Sequence, residues 1–203
     1  MKVLLINGSP HEKGCTYTAL SLIAGELKAQ GIETEILHVG GQPVGGCIGC
    51  GGCNGCVFGG VVNEAIEKAK TADAFVFGSP VHYASAAGNM ASFMDRLAYA
   101  GGKYLAYKPA AVCCSARRAG TTSTLDQLVK YPQFFHMPLV NGSYWAMVHG
   151  SNPEQVLQDA EGCAVMQELG RNMAWLLRCI EAGKAAGIDH PQNPPRPMTS
   201  FIR

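Results

Sequence analysis

The stretch KVLLINGSPHEKGCT, residues 2–16, decides how the chain folds. Its opening run, KVLLI (2–6), is continuously apolar, as a strand covered on both faces must be. NGSPHEKG follows as a loop of turn-forming residues. From Thr16 to Gln30 the apolar residues Leu20, Ile23, Ala24 and Leu27 fall on one helical face, and Gly31 supplies a stop. The unit is strand, loop, helix, and it recurs.

ETEILHV (33–39), AFVFGSP (74–80) and PAAVCCS (109–115) read as further strands, and a fifth lies within 137–148. Helices are predicted around 61–70, across Met90, Phe93, Met94 and Leu97, and over 122–131. One last helix is expected to begin at Asn152 as N-cap, with Pro153 at its first position and Gln155 completing a capping box. Leu169, Met173, Leu176, Leu177 and Ile180 form its apolar stripe, and Gly183 closes it. No internal repeat is visible. Strands alternating with helices imply an α/β domain, a three-layer doubly wound fold around a five-stranded parallel sheet. Residues 1–187 are expected to form one domain. Residues 188–203 form an extended tail, because Pro191, Pro194, Pro195 and Pro197 forbid regular helix.

Composition narrows the function. The 203 residues are 47% apolar, enough for one domain with a real core. A net charge of +1 without a Lys/Arg stripe leaves no electrostatic footprint for nucleic acid. No apolar run reaches membrane length, and MKVLLINGSP is too short for a signal-peptide core. Nine cysteines, an odd number, without a secretion signal argue for a reducing, cytoplasmic setting.

In a doubly wound fold the ligand lies at the C-terminal ends of the strands, where strand order reverses. Three loops reach that edge. The first, NGSPHEKGCT, ends at a helix N-terminus, where free N–H groups and the dipole favour an anion, and phosphate is its natural guest. It is no P-loop, lacking GxxxxGK[ST]. Neither is it a dinucleotide fingerprint, lacking GxGxxG and an acid after strand two. A bare strand–turn–helix joint is the alternative. The second loop, GSPVHYASAAG, places His82 and Tyr83 beside the small residues Ala84, Ser85, Ala86 and Gly88, leaving room for a flat ring; capping of the core is the alternative. The third, CSARRAGTT, offers hydroxyl and backbone donors with Arg117 and Arg118, which are either charge partners or solvated. One phosphate and one planar polar ring together describe FMN.

GSPHEKGCTYTAL, FGSPVHYASAAGNMASFMDR and SARRAGTT, in this order and spacing, resemble the flavodoxin-like NAD(P)H-dependent FMN reductase family, in its multimeric flavodoxin and iron–sulfur flavoprotein branch. The resemblance runs from residue 1 to about 180. It implies a flavodoxin-like sheet of strand order 2-1-3-4-5. The phosphate loop would be Ser9, His11, Lys13, Gly14, Cys15 and Thr16. The isoalloxazine would be lined by Pro80, Val81, His82, Tyr83 and Ala84, and closed by Ser115, Ala116, Arg117 and Gly120. Cys15 stands where Asn is common in the family, and His82 where Tyr is common. The implied activity is hydride transfer from NAD(P)H to FMN. Electrons then pass to a small-molecule or protein acceptor: a quinone, a nitro or azo compound, a free flavin or an iron–sulfur centre. The alternative is an electron carrier without its own reductase activity. The flavin carries the chemistry, so no catalytic side chain is assigned. Relatives are commonly homodimers or homotetramers, which implies the same here; the tail is either an arm that crosses between subunits, anchored by Phe201 and Ile202, or a frayed terminus.

GGCIGCGGCNGC (45–56) places Cys47, Cys50, Cys53 and Cys56 where iron–sulfur flavoproteins carry their cysteine motif. Three cysteines at this spacing can wrap three corners of a [4Fe–4S] cube, while the fourth normally comes from farther away. Gly49, Gly51, Gly52 and Gly55 would have to permit the turning. Tetrahedral zinc, or a loop of reduced thiols, are the other readings. Cys15, Cys113, Cys114, Cys163 and Cys179 read as core or loop residues. A receiver-type signalling domain is disfavoured, because Asn7-Gly8 and Gly78-Ser79 stand where its acidic residues belong. A zinc-binding interaction module rests on the cysteine loop alone.

Overall fold

The computed structural model describes residues 1–201; Ile202, expected as a tail anchor, lies outside the described residues. The chain runs β1 (Lys2–Asn7), α1 (Cys15–Ala29), β2 (Glu33–His38), α2 (Val61–Thr71), β3 (Ala74–His82), β4 (Ser85–Ala86) and α3 (Gly88–Gly101). A 3₁₀ turn (Gly102–Tyr104) leads to β5 (Ala110–Ala116), α4 (Thr121–Phe134), β6 (Met147–His149), α5 (Pro153–Val156) and α6 (Ala160–Ala185).

The sheet order is β2-β1-β3-β5-β6, and these neighbours pair in parallel. With two-residue β4 set aside, this is the expected order. Alternation along β1 explains the layers. Val3 and Leu5 join Leu20, Ile23 and Leu27 of α1 and Met166, Leu169 and Met173 of α6 in one core. Leu4 and Ile6 face Val62 and Ile66 of α2, Phe93 and Leu97 of α3 and Leu128 of α4 in the other. Both faces are dry, so the strand reads as an uninterrupted apolar run. Each such Leu or Ile contributes about 1.5–3 kcal/mol on burial.

Asn7 pairs with His38 of β2 and with Gly78 of β3. The chain therefore leaves the sheet beside β1 in opposite directions, which opens the crevice at that edge.

Two expectations are corrected. The last helix is not continuous from Asn152. Asn152 caps only α5, accepting from Gln155 N at 2.9 Å. The helix restarts at α6, where Asp159 Oδ1 accepts from Gly162 N at 2.9 Å. Asp159 Oδ2 also accepts from His149 N at 2.8 Å, so the break ties α6 to the end of β6. The strand expected at 74–80 continues to His82 and folds back as a hairpin with β4.

The tail through residue 201 has no helix or strand and lies along its own chain. His190 stacks on Tyr107 at 4.3 Å, Tyr107 stacks on His136 at 5.3 Å, and Asn193 Nδ2 donates to Tyr107 OH at 2.7 Å. Among the described residues no helix is long and apolar enough to cross a membrane.

Candidate functional site

The loop after β1 is shaped by its first residue. Asn7 is fully buried; its Oδ1 accepts from Ser9 N at 3.1 Å and its Nδ2 donates to Glu12 O at 2.9 Å. Ser9 Oγ accepts from His11 N at 3.1 Å, continuing the curl. Gly8 N donates to Gly78 O at 2.9 Å and docks the loop on β3. The loop delivers the chain to α1, whose N-cap, Gly14, supplies no side-chain cap, and whose first turn holds no acidic residue. The N–H groups of that turn have no intrahelical partners and carry the positive end of a 15-residue helix.

The second loop is a two-residue hairpin turn. Val81 and His82 pair with Ala86 and Ser85, leaving Tyr83 and Ala84 at the tip with φ of 50° and 58°. Side chains disfavour this left-handed backbone, and the turn usually takes Asn-Gly. It is held by its neighbours. Gln127 Oε1 of α4 accepts from Ser85 Oγ at 2.6 Å and from Ala86 N at 2.9 Å. Ser123 Oγ donates to Ala84 O at 2.6 Å, and Ser79 Oγ accepts from Ala87 N at 3.0 Å. Tyr83 stands fully exposed at the tip.

The third loop closes on both others. Thr16 Oγ1 and Ser115 Oγ share a hydrogen bond at 2.8 Å, buried between α1 and the end of β5. Gly120 takes φ of 92°, and a Cβ there would sit 2.7 Å from Ala84 Cα and 2.9 Å from Val81 Cγ1. Only glycine permits that approach.

The expected site residues therefore sort cleanly. Thr16 meets Ser115, Gly120 meets Val81 and Ala84, and Pro80 pairs with Ser115 in the sheet register. Ser9 and Ala116 are buried at the same edge. His11, Lys13, His82, Tyr83 and Arg117 are exposed around it, and Gly14 is half-buried. Cys15 turns its thiol towards Gly150 O at 3.5 Å; burial pushes the thiol up from its ordinary pKa, so it stays protonated at neutral pH. Burial likewise raises Cys113, and raises Cys114 to about 12, which makes both core thiols inert. Sequence reasoning passed over Asn7, Ser79, Ser123 and Gln127. The Asx-turn pattern at Asn7-Gly8-Ser9 could have flagged the first. Gln127 leaves no local signal.

The cysteine loop occupies the long β2–α2 connection and packs on α3. All four thiols line one cleft of about 180 Å³ with Phe58, Arg96 and Tyr99. Gly49, Gly51 and Gly55 take positive φ, and Gly52 does not. Cys47, Cys50 and Cys53 are exposed and Cys56 is half-buried. Among the described residues, no three metal-ligating side chains are gathered as they lie to hold one ion. The chemistry of the donor set fits a thiolate-bound centre: four thiols on one cleft, beside a cation and glycines that allow tight turning.

A family model described as NADPH-dependent FMN reductase matches residues 1–152. An iron-sulfur flavoprotein of Methanocaldococcus jannaschii is 28% identical over 192 residues, covering 89% of this chain and all of that protein. Among solved structures, RosB with bound 8-demethyl-8-formylriboflavin-5′-phosphate superimposes with a TM-score of 0.68 at 15% identity, covering all of this chain and 94% of that one. A flavodoxin from the domain Archaea superimposes with a TM-score of 0.60 at 14% identity, covering 88% and 99%. The fold is flavodoxin-like.

Proposed function

This chain belongs to the NADPH-dependent FMN reductase family, and on that premise we propose that it takes hydride from NAD(P)H and passes electrons to a quinone, a nitro or azo compound, a free flavin or an iron–sulfur centre. It is an FMN-dependent flavoprotein oxidoreductase; the acceptor and the residue roles are the proposal. The observation that carries it is the strained Tyr83-Ala84 turn, held against Gly120 and Gln127 beside an uncapped helix N-terminus. Backbone held in a sparsely populated conformation by its surroundings is characteristic of ligand sites.

Bound FMN supplies hydride acceptance and one- or two-electron return. The chain's own residues bind and orient. Ser9, His11, Lys13, Gly14, Cys15 and Thr16 would hold the phosphate, chiefly through backbone N–H groups and the hydroxyls of Ser9 and Thr16. Cys15 contributes its amide, since its thiol is engaged with Gly150 O. Pro80, Val81, His82, Tyr83 and Ala84 would line the ring. Ser115, Ala116, Arg117 and Gly120 would close its polar end, where Arg117 offsets negative charge. Residues 1–187 form the flavin domain and residues 188–203 its tail.

Protein purified anaerobically should be yellow and release fluorescent flavin on heating, and NADPH should bleach it. A colourless supernatant, together with no uptake of added FMN, refutes the assignment.

A second reading is favoured by the four thiols on one cleft: Cys47, Cys50, Cys53 and Cys56 would ligate a [4Fe–4S] cluster, and the protein would act as an iron–sulfur flavoprotein electron carrier. The named relative from M. jannaschii fits this reading. Stopped-flow mixing separates the two, because a carrier without reductase activity keeps its flavin oxidised when mixed with NADPH.

A further inference from the structure

Arg96 lies on α3 yet is only 6% exposed, and sequence reasoning assigned it nothing. Its guanidinium is spent on the cysteine loop. Nε donates to Cys56 Sγ at 3.0 Å, one terminal nitrogen to Gly45 O at 3.4 Å and the other to Gly59 O at 3.2 Å. The Phe58 ring lies 5.2 Å from the guanidinium carbon, closing its face. Among the described residues no carboxylate comes within ion-pair distance of it. The adjacent Asp95 accepts instead from Tyr131 OH at 2.6 Å.

A buried guanidinium with only neutral partners is costly, and removing or withholding its countercharge destabilises a site strongly. A negatively charged centre in the cleft would supply the countercharge that these partners lack. The arginine's partners span the loop's beginning (Gly45), its fourth cysteine and its end (Gly59), so the guanidinium ties the loop together across the cleft. The rest of the anchoring agrees. Asn63 fixes the Cys56 backbone, its Oδ1 accepting from Cys56 N at 2.7 Å and its Nδ2 donating to Cys56 O at 3.0 Å. Asn89 holds the approach to the loop through Gly40 O, Gln42 O and Val44 N.

We propose that Arg96 is the positioning residue of the cysteine loop: it gathers Gly45, Cys56 and Gly59 around the cleft and supplies the positive charge that a metal–thiolate centre there requires. This rests on the cluster reading of the loop. Hydrogen bonds to coordinating sulfur and nearby positive charge raise the potential of such centres and orient their ligands. Arg96 therefore acts on loading and on potential, not on hydride transfer.

The test uses the full chain, reconstituted anaerobically with iron and sulfide, as wild type, Arg96→Gln and Arg96→Lys. Iron, acid-labile sulfide and flavin are measured per chain, and the potential of the cluster is followed by electron paramagnetic resonance. Wild type is expected to load iron and sulfide. Arg96→Gln should keep its flavin but bind iron about tenfold more weakly, with any cluster shifted to more negative potential. Arg96→Lys should lie between them, keeping charge but losing the fork. Variants that load like wild type at unchanged potential overturn the role of Arg96 and leave the cluster reading standing. Wild type that takes up no iron overturns both. Loss of flavin and iron together in both variants makes Arg96 a general support of the fold and overturns the proposal.

Discussion

At the scale of single residues, the site is built from backbone that its side chains do not favour. Tyr83 and Ala84 hold left-handed φ in the hairpin tip, and Gly120 presses against them from the third loop. Gly120→Ala would place a methyl 2.7 Å from Ala84 Cα at φ of 92°. The expected cost is about 1–3 kcal/mol of stability, with weaker FMN binding, read from denaturant midpoints and a flavin titration. Exchanging Tyr83-Ala84 for Asn-Gly should do the reverse for stability, raising it by about 1 kcal/mol, while loosening the flavin. Arg117 is exposed and engages no carboxylate among the described residues. Arg117→Ala should therefore leave stability unchanged and weaken either flavin retention or nicotinamide turnover; unaltered affinity and rate would remove it from the site.

At the scale of elements, polar side chains decide where secondary structure stops and what it touches. Asp159 caps α6 through Gly162 N and reaches His149 N on β6. Asp159→Ala should cost about 1–2 kcal/mol, visible in thermal unfolding. On β2, Glu35 accepts from Lys2 at 2.8 Å and from Lys68 at 2.6 Å, joining β1, β2 and α2 at the end of the sheet away from the site. The hydrogen bond from Lys2, with that from Lys68, holds its carboxyl below the ordinary value of 4.5. A carboxyl lowered by folding stabilises above its unfolded-state pKa, and that contribution is lost as pH falls through the folded-state value. Glu35→Gln should thus be slightly less stable than wild type at neutral pH, and the gap should close on acidification below about pH 4. A gap that persists in acid would assign the loss to packing.

At the scale of the whole molecule, the tail lies at the opposite end of the sheet from the edge where the three loops meet. Tyr107 is sandwiched between His136 and His190, and Arg196 sits 5.2 Å from the Phe134 ring. Trp145 and Trp175 are more than half exposed, apolar area that a homodimer or homotetramer would cover. Light scattering checks that assembly. Removing residues 188–203 should lower the melting temperature and leave flavin content intact. A truncated chain that loses its oligomeric state would instead make the tail an arm between subunits.

The layered α/β fold was legible in the chain, because apolar periodicity and turn residues are local properties and strands buried on both faces have few ways to be arranged; the strand order came from the family resemblance. Residues 152 and 153 signalled a helix start correctly, yet only for α5; the restart at Asp159 depends on His149, ten residues back and on a strand. The hairpin at Tyr83-Ala84 carries no turn signature, since Gln127 and Ser123 of a later helix hold it. Arg96 reads as one more charge on an amphipathic helix until the fold brings Gly45, Cys56 and Gly59 around it. Local pattern determined the scaffold, and tertiary contact decided which polar groups are buried, because desolvation is a property of the packed molecule.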